Sequence, residues 1–223
     1  MVKTIIIFFG PPGSGKGTQA DRLAEKTGWR NIAVGELLRQ EQLKGTKLGR
    51  QAAKYMAVGK LFTDGLIKDL VAKHLKRKPI PAGIIFDGYP RQASQHQDLL
   101  ALLKNWSGKN DRVYALEIAI SDREVKQRLT ARRSCSCGAV YHLKYNPPKV
   151  KNFCDLCGQK LFIRVDDRPA VIDRRLKLYH QQIKPLLNYY QKQKRLIKIN
   201  GQQPIKKVHQ EINKKLKMLK LLK

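Results

Sequence analysis

The sequence is poor in acid: across 223 residues, 17 Asp and Glu stand against 46 Lys and Arg, a formal net charge of +29. Such a surface repels cationic partners and favours polyanions, whether nucleotides, nucleic acid or anionic membrane surfaces. Aromatics are scarce at 7%, which argues against a surface of stacking platforms for single-stranded nucleic acid. No apolar run is long enough to cross a bilayer. The opening "MVKTIIIFFG" is apolar only briefly, runs into Gly-Pro-Pro-Gly and lacks the small-residue cleavage pattern of an export signal. No membrane insertion and a cytoplasmic location are expected. Internal repeats are missing, and there are only four cysteines. In a reducing compartment these are expected as metal ligands or free thiols before disulfides.

What is present suffices for a sizeable core, with 42% apolar residues. "TIIIFF" (4–9) is a continuous β-branched and aromatic run, the pattern of a strand buried on both faces. Similar runs recur at "GIIFD" (83–87), "RVYALEI" (112–118) and "RLIKI" (195–199), with helix-like segments between them. Strands alternating with helices predict a parallel sheet covered on both sides. Two stretches break the alternation. Residues 35–60 have helical spacing at Leu37, Leu38, Leu43 and Leu48, interrupted by Gly45, Gly49 and Gly59, and read as a small helical insertion. Residues 134–162 hold all four cysteines and the Pro147–Pro148 pair, and read as a compact insertion needing its own staple. From Ile205 the chain places Ile205, Val208, Ile212, Leu216 and Leu219 at helical spacing, with seven lysines between 206 and 223. Those lysines are either a solvated helix face or a contact for RNA or a membrane.

"GPPGSGKGTQ" (10–19) almost fits the phosphate-binding pattern G-x-x-x-x-G-K-[S/T]. Gly10, Gly15 and Lys16 are in place, but Gly17 occupies the hydroxyl position and Thr18 arrives one residue late. A buried strand, a glycine turn and a helix start make an anion site because unpaired backbone N–H groups converge there and the helix dipole adds positive charge.

"GPPGSGKGTQA", "FDGYPR" with Gln95 after it, "YHLKYNPPK" and "RVDDRP" run in that order over nearly the whole chain. Together they resemble the adenylate kinase family, in its bacterial long-lid type. The resemblance implies an α/β fold: a P-loop NTPase-type parallel sheet flanked by helices, with a core at 1–32, 63–130 and 168–223. A helical AMP-binding insertion at 33–62 and a small lid at 131–167 complete it, and both insertions are expected to move. It implies reversible phosphoryl transfer from MgATP to AMP giving two ADP, a place in nucleotide homeostasis and salvage, and a monomer.

Site residues carry over motif by motif. Gly13, Ser14, Gly15, Lys16, Gly17 and Thr18 should bind the ATP phosphates, with Arg128, Arg132, Val140, Tyr141 and Gln203 completing the ATP side. Arg128 and Arg132 are four apart on a predicted helix and so face one site. Arg39 and Arg91 should hold the AMP phosphate, and Arg164 and Arg175 should close over the transferring group, since arginine binds phosphate oxygens in pairs and stays charged. Asp166 and Asp167 either pair with lid arginines or form a solvated turn. Base and sugar contacts fall to Val34, Lys60, Leu61, Phe62, Gly88, Tyr89, Pro90 and Gln95. With Gly17 in the loop, Mg²⁺ lacks a direct hydroxyl ligand and is held by phosphates and water, oriented by Asp87; otherwise Asp87 is a helix cap or turn residue.

The chain departs from the family in "AVGE", where Val34 replaces a threonine and deletes a hydroxyl. That leaves room for a nucleoside monophosphate kinase of broader acceptor choice, which Gln95, with an amide suited to an adenine edge, disfavours. A nucleic-acid-binding P-loop protein is the alternative prompted by the charge. "CSC" and "CDLC" place Cys135, Cys137, Cys154 and Cys157 near the spacing of a four-cysteine structural zinc site. The first pair is one residue shorter than the usual knuckle, which should weaken backbone N–H donation to sulfur. The alternatives are four reduced thiols, or three cysteines with His142.

Overall fold

A computed structural model describes residues 4–59, 64–77, 81–106 and 112–222. Five parallel strands form the centre: β1 (Thr4–Phe9), β2 (Arg30–Ala33), β3 (Gly83–Asp87), β4 (Arg112–Ala119) and β7 (Leu196–Asn200), in the order β2-β3-β1-β4-β7. β1 lies between β3 and β4, with Ile6 opposite Ile85 and Tyr114, so the glycine loop leaves the middle of the sheet. Side chains alternate across a strand. Ile5, Ile7 and Phe9 of β1 therefore enter one core and Ile6 and Phe8 the other.

The first core is covered by α4 (Asp64–Leu75), α5 (Ala93–Trp106) and α7 (Pro169–Lys192), through Val71, Leu99 and Leu186. The second is covered by α1 (Lys16–Thr27) and α8 (Ile205–Met218), through Leu23, Val208, Ile212 and Leu216. The α8 stripe ends earlier than the spacing suggests. Leu219 caps the helix and is exposed, and the turn at Lys220 brings Leu221 into the core instead.

Two pieces stand off the sheet. α2 (Val34–Leu43) and α3 (Lys47–Ala57) form a helical hairpin, tight enough that a Cβ on Gly49 would overlap the Glu41 backbone. After α6 (Asp122–Thr130), the strands β5 (Arg132–Ser134) and β6 (Val140–His142) pair antiparallel. They carry a core of their own made of Cys135, Tyr141, Cys154 and Leu161. A short helical turn at Val165–Asp167 leads back into α7. Among the described residues no helix is long and apolar enough to cross a membrane.

Candidate functional site

The site lies at the C-terminal end of β1, where α1 begins at Lys16 behind Gly15, with no side-chain cap on its free N–H groups. The loop is tight: a Cβ on Gly10 would meet Ser14 Oγ at 2.6 Å and Ile118 O at 2.8 Å, so this position admits only glycine. Gly17 is restricted from the other side. A Cβ there would lie 3.1 Å from Asp87 Oδ2. The carboxylate at the end of β3 thus occupies the space that a loop hydroxyl would need, while Thr18 is exposed.

Asp87 is not a helix cap, because α5 starts at Ala93, and its buried Oδ1 has no partner among the described residues. Ser14 Oγ is likewise buried without a partner. A carboxylate aimed into the phosphate loop with an unsatisfied oxygen fits a hydrated Mg²⁺.

Cations from three elements gather around this point. A cavity of about 70 Å³ is lined by Pro12, Lys16, Gly88, Arg91, Arg175 and Tyr179. Burial, opposed by Asp87 and reinforced by Arg91, Arg175 and Arg132, brings the Lys16 ammonium down to about 8. Burial also lowers the Arg91 guanidinium, and it brings Arg164 to about 9 and Arg175 to about 10. Such shifts arise where like charges are pressed together out of water.

Carboxylates hold the arginines apart. Arg132 Nε donates to Asp167 Oδ2 at 2.8 Å and its Nη2 to Oδ1. Arg175 Nη1 reaches Asp166 Oδ2 at 3.1 Å and Asp167 Oδ1 at 3.5 Å. Arg39 Nη2 crosses from α2 to Asp166 at 3.4 Å. Burial pushes the Asp166 carboxyl up, but Arg175, Arg39, Arg132 and Arg164 together hold it below the usual range. Both aspartates are buried and ion-paired, not a solvated turn. Glu36, given no role from sequence, joins the network by accepting from Arg39 at 3.2 Å and facing Arg164 at 3.7 Å. Its spacing of three residues from Arg39 on α2 was the available signal.

Arg128 and Arg132 do not share a helix. α6 ends at Thr130, and Arg132 opens β5. Arg128 instead touches the loop from the far side, donating to Ser14 O at 3.4 Å and Gly201 O at 2.8 Å, with Glu124 Oε1 2.7 Å from its Nε. Gln203 follows Gly201 and donates to Asn200 O and Glu211 Oε2. Val140 is exposed, whereas the Tyr141 ring is buried within the β5–β6 unit and its side chain does not reach the loop.

On the other side of Lys16, Arg91 Nε donates to Gly88 O at 2.8 Å. Gln95 Oε1 accepts from Arg91 N at 2.9 Å, and Tyr89 Oη donates to Gln95 O, so the turn through Pro90 is fixed by its own side chains. Gly35 lies beneath the Arg39 and Arg91 guanidinium groups, which would be 3.6 and 3.9 Å from a Cβ there. Val34 is only 3% exposed and belongs to the main core, so its side chain is not offered to a base. Lys60, Leu61 and Phe62 lie outside the described residues.

The four cysteine sulfurs lie within 4.8 Å of one another. Cys135 and Cys157 are 3.4 Å apart, and Cys137 and Cys154 3.6 Å. Tetrahedral zinc with Zn–S bonds of about 2.3 Å needs sulfurs roughly 3.8 Å apart, so donor set and spacing fit. The short first knuckle keeps its backbone donors after all: the N–H groups of Cys137 and Ala139 reach the Cys135 and Cys137 sulfurs. Both knuckles close on a left-handed glycine directly after the second cysteine, Gly138 and Gly158. The Tyr141 hydroxyl leads the groups that hold the Cys154 thiol at about 6. His142 stands outside the cluster, its Nδ1 accepting from Lys144 N and Tyr145 N.

Comparison with known proteins gives a concordant picture. The family model for adenylate kinase matches residues 8–195. An adenylate kinase of Methanothrix thermoacetophila is 42% identical over 211 residues, covering 95% of this chain and 97% of that protein. One of Archaeoglobus fulgidus is 41% identical over 216 residues, 96% and 99% of the two chains. One of Pyrococcus furiosus is 42% identical over 208 residues, 93% of each.

Proposed function

We infer the reaction from one premise: this chain belongs to the adenylate kinase family, and as a nucleoside monophosphate kinase it transfers a phosphoryl group reversibly from ATP to AMP, giving two ADP. The observation that supports the assignment of roles is the convergence of Lys16, Arg91, Arg132 and Arg175 beside the free N-terminus of α1. Phosphoryl transfer asks for two polyanions aligned and the moving charge neutralised, and little covalent chemistry. Residues Gly13 to Thr18 would cradle the donor phosphates through backbone N–H groups, with Lys16 and Arg132 on the outer ones. Arg128, Val140 and Gln203 would border the donor nucleoside. Arg39 and Arg91 would take the acceptor phosphate, Gly88, Tyr89, Pro90 and Gln95 its nucleoside, and Arg164 and Arg175 the transferring group.

Magnesium bound with ATP neutralises phosphate charge, and Asp87 would hold its water shell in place of a loop hydroxyl. Zinc would be structural, held by Cys135, Cys137, Cys154 and Cys157 with no position open to substrate. The β5–β6 unit and the α2–α3 hairpin would close over the bound pair. Closure keeps water from competing with AMP for the phosphoryl group. A cytoplasmic monomer is proposed with this reading, and weak contact of its basic surface with a polyanion.

The test is ADP formation from ATP with AMP, CMP, UMP or GMP as acceptor. The highest kcat/KM is expected with AMP. A preference for CMP or UMP would keep the kinase class and remove adenylate as the acceptor.

A further inference from the structure

The charge that the nucleotide site leaves unused is concentrated in one part of the chain. From Leu176 to Lys223 there are thirteen lysines and arginines and a single acid, Glu211. That acid is already engaged, 3.1 Å from Lys215 Nζ and accepting from Gln203 at 2.8 Å.

The fold gathers most of these cations on one surface. β7 is an edge strand of the sheet, and α8 runs back antiparallel to it, so the end of α8 lies beside the start of β7. Lys215 Nζ donates to Lys198 O on that edge, and Arg112 Nη1 donates to Lys220 O at the far end of α8. Lys192, Lys194 and Arg195 are exposed at the end of α7 and in the turn that enters β7, whereas Lys198 alternates with Ile197 and Ile199, which face α8, and so projects from the opposite face of the sheet beside Glu117. Lys206, Lys207, Lys214 and Lys217 are exposed on the outward face of α8, opposite its buried Val208, Ile212 and Leu216. Lys198 apart, none of these seven has a carboxylate within 4 Å among the described residues. Favourable pairing with helix C-terminal dipoles accounts for Lys192, Lys215 and Lys217. It does not account for Lys206 and Lys207 at the beginning of α8, where the dipole opposes them.

We propose that this surface, the outward face of α8 with the turn that enters β7, docks the phosphate backbone of double-stranded nucleic acid without reading its sequence. From Lys207 to Lys217 the helix advances about 15 Å, at about 1.5 Å per residue. Over that length a duplex presents roughly nine charges, one per about 1.7 Å. The cations are fixed on a rigid helix and on the turn beside its end and act together within about a Debye length of 8–10 Å. The face carries no aromatic platform for unstacked bases, which favours a duplex over a single strand. A membrane is the weaker match, because the apolar stripe of α8 is already buried against the sheet and is not available for insertion. The inference rests on the polyanion reading of the basic surface and is independent of the kinase reading.

The test is fluorescence anisotropy of a labelled 20-base-pair duplex with the full chain, titrated at several salt concentrations, with and without saturating ATP and AMP. Four to five phosphate contacts predict a log–log slope near −4, a loss of about 250-fold between 50 and 200 mM salt. The variant K206E/K207E/K214E/K217E should bind at least tenfold more weakly, with about half the slope, and should form ADP at the parental rate. Three results would overturn the proposal: a variant that binds like the parent, duplex binding abolished by ATP and AMP, or tighter binding to vesicles with one third phosphatidylserine than to the duplex. Loss of ADP formation in the parent would count against the kinase reading alone.

Discussion

Asp167 offers a direct test of how the arginines are held. Its side chain is 0% exposed, and it accepts from both Nε and Nη2 of Arg132, with Arg175 Nη1 3.5 Å away. That side-on pairing leaves Arg132 Nη1 for a phosphate oxygen. Asp167→Ala removes the anion and leaves two guanidinium groups in a low-dielectric pocket. Stripping one partner from a buried pair costs about 3–5 kcal/mol. Here Arg132 and Arg175 are 18% and 16% exposed and take up some water, so the loss should fall to about 2–3 kcal/mol. At 2–4 °C per kcal/mol for a chain of this size, Tm should drop by about 4–12 °C. Activity should suffer separately, because an arginine no longer held by a charge-assisted bond of about 1.5–3 kcal/mol loses roughly 10–100-fold in kcat/KM. Asp167→Asn, which keeps the shape and one acceptor, should lie between. Thermal melts and a coupled ADP assay measure both. A variant that melts within a degree of the parent and turns over at its rate would refute the view that Asp167 positions Arg132.

Three further outcomes are expected. Because the folded Lys16 pKa of about 8 lies below its ordinary 10.5, kcat/KM should fall as pH rises through 8, and stability should gain from this group between about pH 8 and 10.5, where the unfolded chain still binds the proton; Lys16→Met should remove that limb and lower kcat by several orders of magnitude without unfolding the protein, and a pH profile flat to 10 would count against it. Protein purified without chelator should hold about one zinc per chain by elemental analysis, and Cys154→Ser should lose both the metal and thermal stability before phosphate chemistry changes; a metal-free parent with four freely titrating thiols rules the site out. Val34→Thr should bury a hydroxyl, lowering stability by about 1–2 kcal/mol in urea melts, with AMP preference over CMP unchanged; a sharper preference would mean that the hydroxyl reaches the base.

The central strands are legible in the sequence because a strand buried on both faces needs an unbroken apolar run, and β1, β3 and, as far as Glu117, β4 each carry one; the edge strand β7 shows itself instead by alternation, with Ile197 and Ile199 buried on either side of exposed Lys198. β2 escapes that rule. It is an edge strand of four residues, Arg30–Ala33, and only Ile32 among them is buried. The end of α6 was equally hidden, since "RLTARR" has neither glycine nor proline to stop a helix. Arg132 therefore reads as helical, although tertiary pairing of β5 with β6 takes it into a strand. The arginines of the site could be named from their motifs, but not their partners. That Glu36 and Asp166 link α2 to the segment before α7 depends on contacts across 127 positions of sequence or more, since Glu36 faces Arg164 and Arg39 faces Asp166.

Those partners also bear on the meaning of the charge. Lys16, Arg39, Arg91, Arg132, Arg164 and Arg175 would repel one another strongly if left alone, and the lowered pKa values of Lys16, Arg164 and Arg175 reflect burial first and the neighbouring cations after it. Glu36, Asp87, Asp166 and Asp167 are interleaved with them, so the cleft itself carries an excess of only about two positive charges before nucleotides arrive. Two nucleotides bring more negative charge than that, and they would draw the elements bearing Arg39 and Arg132 inward by electrostatics alone. A cleft so nearly balanced explains little of a net charge of +29. The remainder lies on outer surfaces, where it adds nothing to phosphoryl transfer and raises the self-repulsion of the fold. The proposed duplex contact would offset that self-repulsion where it is greatest, since residues 176–223 carry thirteen lysines and arginines against the single acid Glu211, and α8 presents its share of them on its outward face.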